Sequence, residues 1–161
     1  MTTKDFNQCV DLHADGVYRF ILKNIKDEND ARDIVQDAYA KMWEKHENIA
    51  GEKAKSYLFT AAYHTMIDFI RKQKRFYGSE TELENQKSYE QGYSDLQEIL
   101  HQALDELNEV QRSVLLLRDY EGYSYKEIGE IVDLNESQVK VYIYRARVAM
   151  KKRIGRMELV I

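Results

Sequence analysis

Apolar residues recur along this chain at steps of three and four, and no strand-length stretch alternates at steps of two. That spacing predicts amphipathic helices and an all-α fold. A first helix is predicted over about 5–26, with Phe6, Cys9, Val10, His13, Val17, Phe20 and Ile21 on its apolar face. A polar break at Lys26, Asp27, Glu28 and Asn29 leads to a second, over about 30–45, with Ala31, Ile34, Val35, Ala38, Met42 and Trp43 inward. Its outer face carries Arg32, Asp33, Gln36, Asp37 and Lys41. After a loop near 48–52, a third helix over about 55–75 uses Leu58, Ala61, Ala62, Met66, Phe69 and Ile70.

The periodicity then stops. Residues 76–94 hold few aliphatic side chains and set Glu80, Glu82, Glu84 and Glu90 against Lys87, which predicts a flexible acidic linker. Such a segment reaches at most roughly 60 Å when extended, more than the ~34 Å of one turn of B-DNA. The three-four stripe resumes at Leu96, Ile99, Leu100, Ala103, Leu104 and Leu107. Two small helical domains are expected, over 1–75 and 95–161.

The second domain announces its helix starts. Asn108 with Gln111, Ser124 with Glu127 and Asn135 with Gln138 each have the capping-box spacing, in which the cap side chain and the residue three on satisfy each other's backbone amides. Ser124 starts a helix at Tyr125 with Ile128, Ile131 and Val132 inward, Asp133 and Leu134 form a turn, and a long helix starts at Glu136. Val139, Ile143, Ala146, Met150 and Ile154 face in, and Ser137, Gln138, Lys140, Val141, Tyr144, Arg145, Arg147 and Lys151 face out. Two capped helices, a tight turn and a basic outer face are the layout of a helix-turn-helix entering a DNA major groove. Polar residues near the helix start suit base edges, and the later cations suit phosphates. A basic C-terminal helix without that grammar would be a solvated face complementing its own dipole.

Charge sharpens this picture. The net charge is −4, which alone argues against nucleic acid, but cations cluster at Arg71, Lys72, Lys74 and Arg75 and again beyond residue 136. Two basic patches on an acidic body point to two DNA contacts, with acidic surface left for other partners. The one cysteine, Cys9, sits in an apolar stripe and forms neither an internal disulfide nor a zinc motif. Histidines 13, 46, 64 and 101 are scattered; no metal set and no nucleophile–base pair is expected, so neither a cofactor nor covalent chemistry is expected. No stretch approaches the ~20 apolar residues of a membrane span and no signal-peptide pattern is present, so a cytoplasmic protein without membrane insertion is expected.

Taken together, the motifs resemble those of bacterial extracytoplasmic-function (ECF) RNA polymerase sigma factors, in the family's order from about residue 17 to 154. Residues 30–43 (Asp-Ala-Arg-Asp-Ile-Val-Gln-Asp-Ala-Tyr-Ala-Lys-Met-Trp) look like the family helix that docks on the clamp helices of the polymerase largest subunit. The resemblance implies core polymerase binding through Asp33, Gln36, Asp37 and Lys41. Residues 56–75 look like the helix that reads and melts the −10 element, which implies roles for Lys53, Lys55, Tyr57, Tyr63, His64, Arg71, Lys72, Lys74 and Arg75. Melting needs cations along the strand and aromatic surface for unpaired bases; the loop before this helix, about 48–55, would pocket a flipped base. Residues 107–131 look like the lead into the domain that reads the −35 element. The resemblance also implies contact with the polymerase flap through the C-terminal domain, and an anti-sigma partner, in many cases membrane-bound.

The chain departs from the family pattern at Tyr63 and His64 (often Arg-Asn), Gly129 (often Ala), Asp133 (near a usual Gly), Gln138 (often Thr) and Tyr142 (often Arg). Base preference therefore does not carry over with the groove-binding role. The alternative reading is a helix-turn-helix regulator with an N-terminal dimerisation or sensing bundle.

Overall fold

The computed structural model describes residues 1–77 and 95–158, and all regular structure among them is helical. Seven α-helices follow in order: α1 Thr3–Ile25, α2 Glu28–Glu44, α3 Ala54–Tyr77, α4 Asp95–Asp105, α5 Glu109–Leu115, α6 Tyr125–Val132 and α7 Glu136–Glu158. Helix α1 opens on a capping box between Thr2 and Asp5, and ends where Lys26 turns into the left-handed region at φ 63°. The Asp27 carboxylate accepts from the Asp30 amide and starts α2. Two 3-10 turns, His46–Asn48 and Gly51–Lys53, carry the chain into α3. Helix α3 runs on through Phe76 and Tyr77, past the predicted end at 75; the rest of the predicted linker, 78–94, lies outside the described residues.

Helices α1, α2 and α3 form one bundle, filled by Val17, Phe20, Ile21, Met42, Leu58, Phe59 and Met66. Helices α4 to α7 form a second around Leu104, Leu117, Ile128, Ile131, Val139 and Ile143. Each of these large side chains contributes about 1.5–3 kcal/mol by leaving water. Two predicted inward residues are in fact outward. Trp43 is 42% exposed, its ring edge-on to Phe6 at 5.0 Å and stacked on His46 at 4.0 Å. Leu96, at the first turn of α4, is 62% exposed. Both lie close to a helix end, Trp43 in the last turn of α2 and Leu96 in the first turn of α4.

The hinge between α5 and the helix-turn-helix is a π-helical turn, Leu116–Tyr120, closed by the Glu121 amide donating to the Leu116 carbonyl at 3.0 Å. The wider turn keeps Leu116 and Leu117 in the core and turns Asp119 and Tyr120 outward.

The two bundles touch, chiefly α3 against α6 and α1 against α5. At the centre Phe59 meets Tyr123 edge-on at 5.0 Å. Around it, Arg19 grips Glu121 with two hydrogen bonds of 2.8 Å, Lys74 pairs with Glu109 at 2.6 Å, Lys55 with Glu127 at 3.5 Å, and Lys26 with Asp105. Lys23 lies 3.5 Å over the Tyr120 ring and Lys55 4.0 Å over that of Tyr123.

Acid should loosen this contact. Burial holds the His101 imidazole below the ordinary histidine value, helped by Lys23 and Lys26 and opposed by Asp105. A depressed histidine contributes stability above its ordinary value of about 6.5 and loses it as the pH falls. Burial works to raise Glu109, but Lys74, its own backbone amide and Arg112 outweigh that and lower it, so it loses stability further into acid. The melting temperature is expected to fall by several degrees between pH 7.5 and 5, followed by circular dichroism at constant ionic strength. An unchanged value would remove His101 from the contact.

Candidate nucleic-acid interface

The helix-turn-helix is built from reciprocal caps. Ser124 and Glu127 exchange hydrogen bonds of 3.1 Å each, and Asn135 and Gln138 exchange bonds of 2.8 and 3.0 Å. Between them Asp133 adopts φ 61°, and the Leu134 amide donates back to the Gly129 carbonyl at 3.0 Å. This turn explains Gly129. A Cβ there would lie 2.4 Å from the Leu134 carbonyl oxygen, so the glycine admits the backbone of the turn itself. Alanine would gain about 1 kcal/mol of helix propensity but would push that turn aside. Gly129→Ala is therefore expected to be a net loss of about 1–2 kcal/mol, read from urea melts; a gain would mean that the turn yields freely.

On α7, Val139, Ile143 and Ala146 are buried, while Ser137, Gln138, Lys140, Val141, Tyr144, Arg145, Arg147 and Lys151 are all exposed. Ser137, Val141 and Tyr144 form one line along the outward face, at i, i+4 and i+7. Val141 is 45% exposed and Tyr144 69%; apolar surface of that kind suits thymine methyl groups where a helix lies in a major groove. Several of these side chains already have partners. The Gln138 amide oxygen caps the helix, Lys140 lies 5.5 Å from the Tyr125 ring, and Arg147 pairs with Asp119 at 2.5 Å.

The predicted −10 residues divide into two faces of α3. Tyr57, His64, Arg71, Lys72 and Arg75 share one stripe, with the last four exposed and Tyr57 half-buried. Lys53 is exposed in the preceding turn. Lys55, Tyr63 and Lys74 lie off that stripe. Tyr63 is buried at 5% exposure and, so packed, offers no ring face to a base; burial raises its hydroxyl pKa. Lys55 and Lys74 are the cations that pair with Glu127 and Glu109 of the other bundle. The loop before α3 is held by the Met1 amino group, which donates to the carbonyls of His46 and Ile49.

On α2, Asp33, Gln36 and Asp37 are exposed together, opposite Ala31, Ile34, Val35 and Ala38. Lys41 differs: its ammonium donates to the Thr65 hydroxyl on α3 at 2.8 Å, so it braces the two helices. Beside this face stands Trp43, which the inward reading of the stripe missed. Among the described residues no group of three His, Cys, Asp or Glu side chains is placed to hold a metal ion, and no helix is long and apolar enough to cross a membrane.

The family model for Sigma-70 region 2 matches residues 9–76, and that for Sigma-70, region 4 matches residues 97–150. The chain is 34% identical over 154 residues to RNA polymerase sigma factor SigV of Bacillus subtilis (strain 168), covering 94% of this chain and 92% of SigV. It is 27% identical over 145 residues to ECF RNA polymerase sigma factor SigM of the same organism, covering 87% of this chain and 89% of SigM. Among solved structures it is similar to the sigma factor RpoE of Bartonella quintana, crystallised with the anti-sigma factor NepR. That likeness has a TM-score of 0.76 at 25% identity and covers 95% of this chain and 98% of RpoE. Two helical bundles in this order, each matched to its own sigma region and related end to end to SigV and SigM, make the chain a member of the ECF RNA polymerase sigma factors, which direct promoter-specific transcription initiation.

Proposed function

We propose that the chain divides promoter recognition between its bundles: residues 1–75 bind core polymerase and open the −10 element, and residues 95–161 anchor on the −35 element. The observation that carries this is the presence of two separate exposed basic faces, one on α3 and one on α7, at the distal parts of the two matched regions. The α3 face would hold the melted strand through His64, Arg71, Lys72 and Arg75, with Tyr57 for stacking. The α7 face would read duplex −35 DNA through Ser137, Gln138, Val141, Tyr144 and Arg145, with Lys140, Arg147 and Lys151 on phosphates. Asp33, Gln36 and Asp37 would meet the clamp helices of the largest subunit.

A groove of about 690 Å³ supports the flap contact. It is lined by Leu100, Leu115, Met150 and Ile154, with Asp119 and Arg147 at its polar edge, and suits an apolar polymerase segment. The RpoE–NepR pairing supports an anti-sigma factor as the regulatory partner. The protein acts in the cytoplasm, where polymerase and promoters are, with no cofactor and no covalent chemistry of its own.

Run-off transcription with purified core polymerase and fragmented genomic DNA tests the reading: defined start sites are expected, and none would overturn it. On promoters found in this way, Arg145→Ala is expected to weaken duplex −35 binding about tenfold, within the ~1–3 kcal/mol of one good base contact. Core polymerase affinity should not change. If core binding is lost instead, the division between the bundles is wrong.

A further inference from the structure

Four cations stand on the outward face of α7: Lys140, Arg145, Arg147 and Lys151. Among the described residues, Arg147 is the one of these four that meets a carboxylate. Its Nη2 donates to Asp119 Oδ1 at 2.5 Å and its Nε to Asp119 Oδ2 at 3.3 Å. This is the planar fork of a guanidinium on a carboxylate, which fixes orientation as well as adding attraction. It leaves Nη1 outside the fork. Lys140 is held differently: its ammonium lies 5.5 Å from the Tyr125 ring, which also carries the Arg118 guanidinium at 4.4 Å. A ring attracts a cation without cancelling its charge. Asp119 reaches α7 from the π-helical turn Leu116–Tyr120, and such inserted turns recur at functional sites. The Arg147 side chain is 50% exposed and that of Asp119 37%, so the pair lies at the surface, on the same line of α7 as Lys140, Tyr144 and Lys151.

We propose that Asp119 is a specificity-determining residue for −35 recognition: it pins Arg147, so that the guanidinium reaches a backbone phosphate in one register of the duplex only. This rests on the groove-reading role proposed above for α7. Non-specific binding comes from cations that displace condensed counterions from phosphates, whatever the sequence. A long arginine without a partner adds to it, because it can follow a phosphate at any register. Arg147 differs in two ways. Its charge is offset by Asp119, which removes most of its sequence-independent attraction. Its fork is fixed, so Nη1 donates well only to a phosphate that arrives at one place. Phosphate contacts set the register of a protein on DNA, and a donor that tolerates one register favours the site whose bases fit the start of α7. The Asp119 fork stays intact in that complex, so no ion pair has to be broken to form it. Lys140, Arg145 and Lys151 keep their charge and supply the general attraction.

The full chain in complex with core polymerase tests this on two promoter fragments that share one −10 element. One keeps its own −35 sequence and the other has that sequence scrambled; discrimination is the ratio of the two affinities. Asp119→Ala is expected to raise affinity for the scrambled fragment about threefold between about 50 and 200 mM salt, and to steepen its salt dependence by about one phosphate contact. Affinity for the intact fragment should move by less than about twofold, so that discrimination falls. Asp119→Glu keeps the pair and should discriminate as wild type does. Glu136→Gln removes another exposed acid at the start of α7; it should shift both fragments alike and leave discrimination unchanged. Arg147→Lys keeps the charge but not the fork, and should lower discrimination with the scrambled fragment unmoved. Unchanged discrimination in Asp119→Ala would overturn the inference, and so would an equal loss on both fragments with a lower melting temperature, the mark of a purely structural hinge. If wild type itself does not tell the two fragments apart, the groove-reading role falls and this inference with it; if wild type does and Asp119→Ala does equally well, the inference alone falls.

Discussion

Reversing Asp33 and Asp37 together to lysine is expected to weaken binding to core polymerase by at least about a hundredfold. The two carboxylates sit one helical turn apart on the exposed side of α2, with Gln36 between them, so one docking surface meets both. A basic partner face would gain two unfavourable contacts and lose two favourable ones, and like charges across an interface cost several kcal/mol; a hundredfold is about 2.7 kcal/mol. The fold should not suffer, because neither residue caps α2 or touches its core, and the cap at Asp27 stays intact. The measurement is competition against labelled wild type for purified core, with helicity as the control. Unchanged affinity would take this face out of the polymerase interface. Lys41→Ala gives the contrast: it breaks the hydrogen bond to Thr65 and should lower stability slightly while leaving polymerase affinity near wild type.

That contrast shows where sequence reasoning stops. The α2 acids were legible because a period of 3.6 separates an outer from an inner face. The same period does not say what stands opposite an edge position. Lys41 and Trp43 both flank the apolar stripe of α2; Lys41 is turned to Thr65 on α3, whereas Trp43 packs against Phe6 and His46 and stays 42% exposed. The helix starts at Asn108, Ser124 and Asn135 were legible in full, since a capping box is local and each side chain meets a backbone amide three residues away. Gly129 was legible as a departure from the family's usual alanine but not as a glycine for the Leu134 carbonyl, which depends on the left-handed turn at Asp133.

The contact between the bundles was not legible. Its ion pairs join residues 35 to 102 positions apart, and no periodicity links them. Lys74 belongs to a run of four cations, and all four read equally well as DNA contacts from sequence. Only the fold separates them, because Lys74 points off the stripe that carries Arg71, Lys72 and Arg75. The same holds for Tyr63, whose aromatic character suits either a base or a core, and which the bundle buries.

Phe59→Ala should be the most damaging single truncation in the core, because Phe59 serves both bundles. Its ring is fully buried, 6.0 Å from Phe20 within the first bundle and edge-on to Tyr123 at 5.0 Å in the second. Removing a buried phenyl ring leaves a cavity and typically costs about 3–5 kcal/mol. For a chain of this size that lowers the melting temperature by roughly 10 °C. The loss should also reach beyond the first bundle, since Tyr123 is itself nearly buried and would lose the partner beneath its edge. Phe59→Leu refills most of the volume without the ring and should cost about 1–1.5 kcal/mol, whereas Leu96→Ala, at a 62% exposed position, should stay within about 0.5 kcal/mol. Urea melts followed by helicity, and separately by a fluorescent label on exposed α7, distinguish the cases. If the bundles pack as one body, both probes shift together in Phe59→Ala. If only the helicity of the first bundle shifts and the α7 label melts as in wild type, the two bundles unfold independently and the Phe59–Tyr123 contact contributes nothing to holding them together.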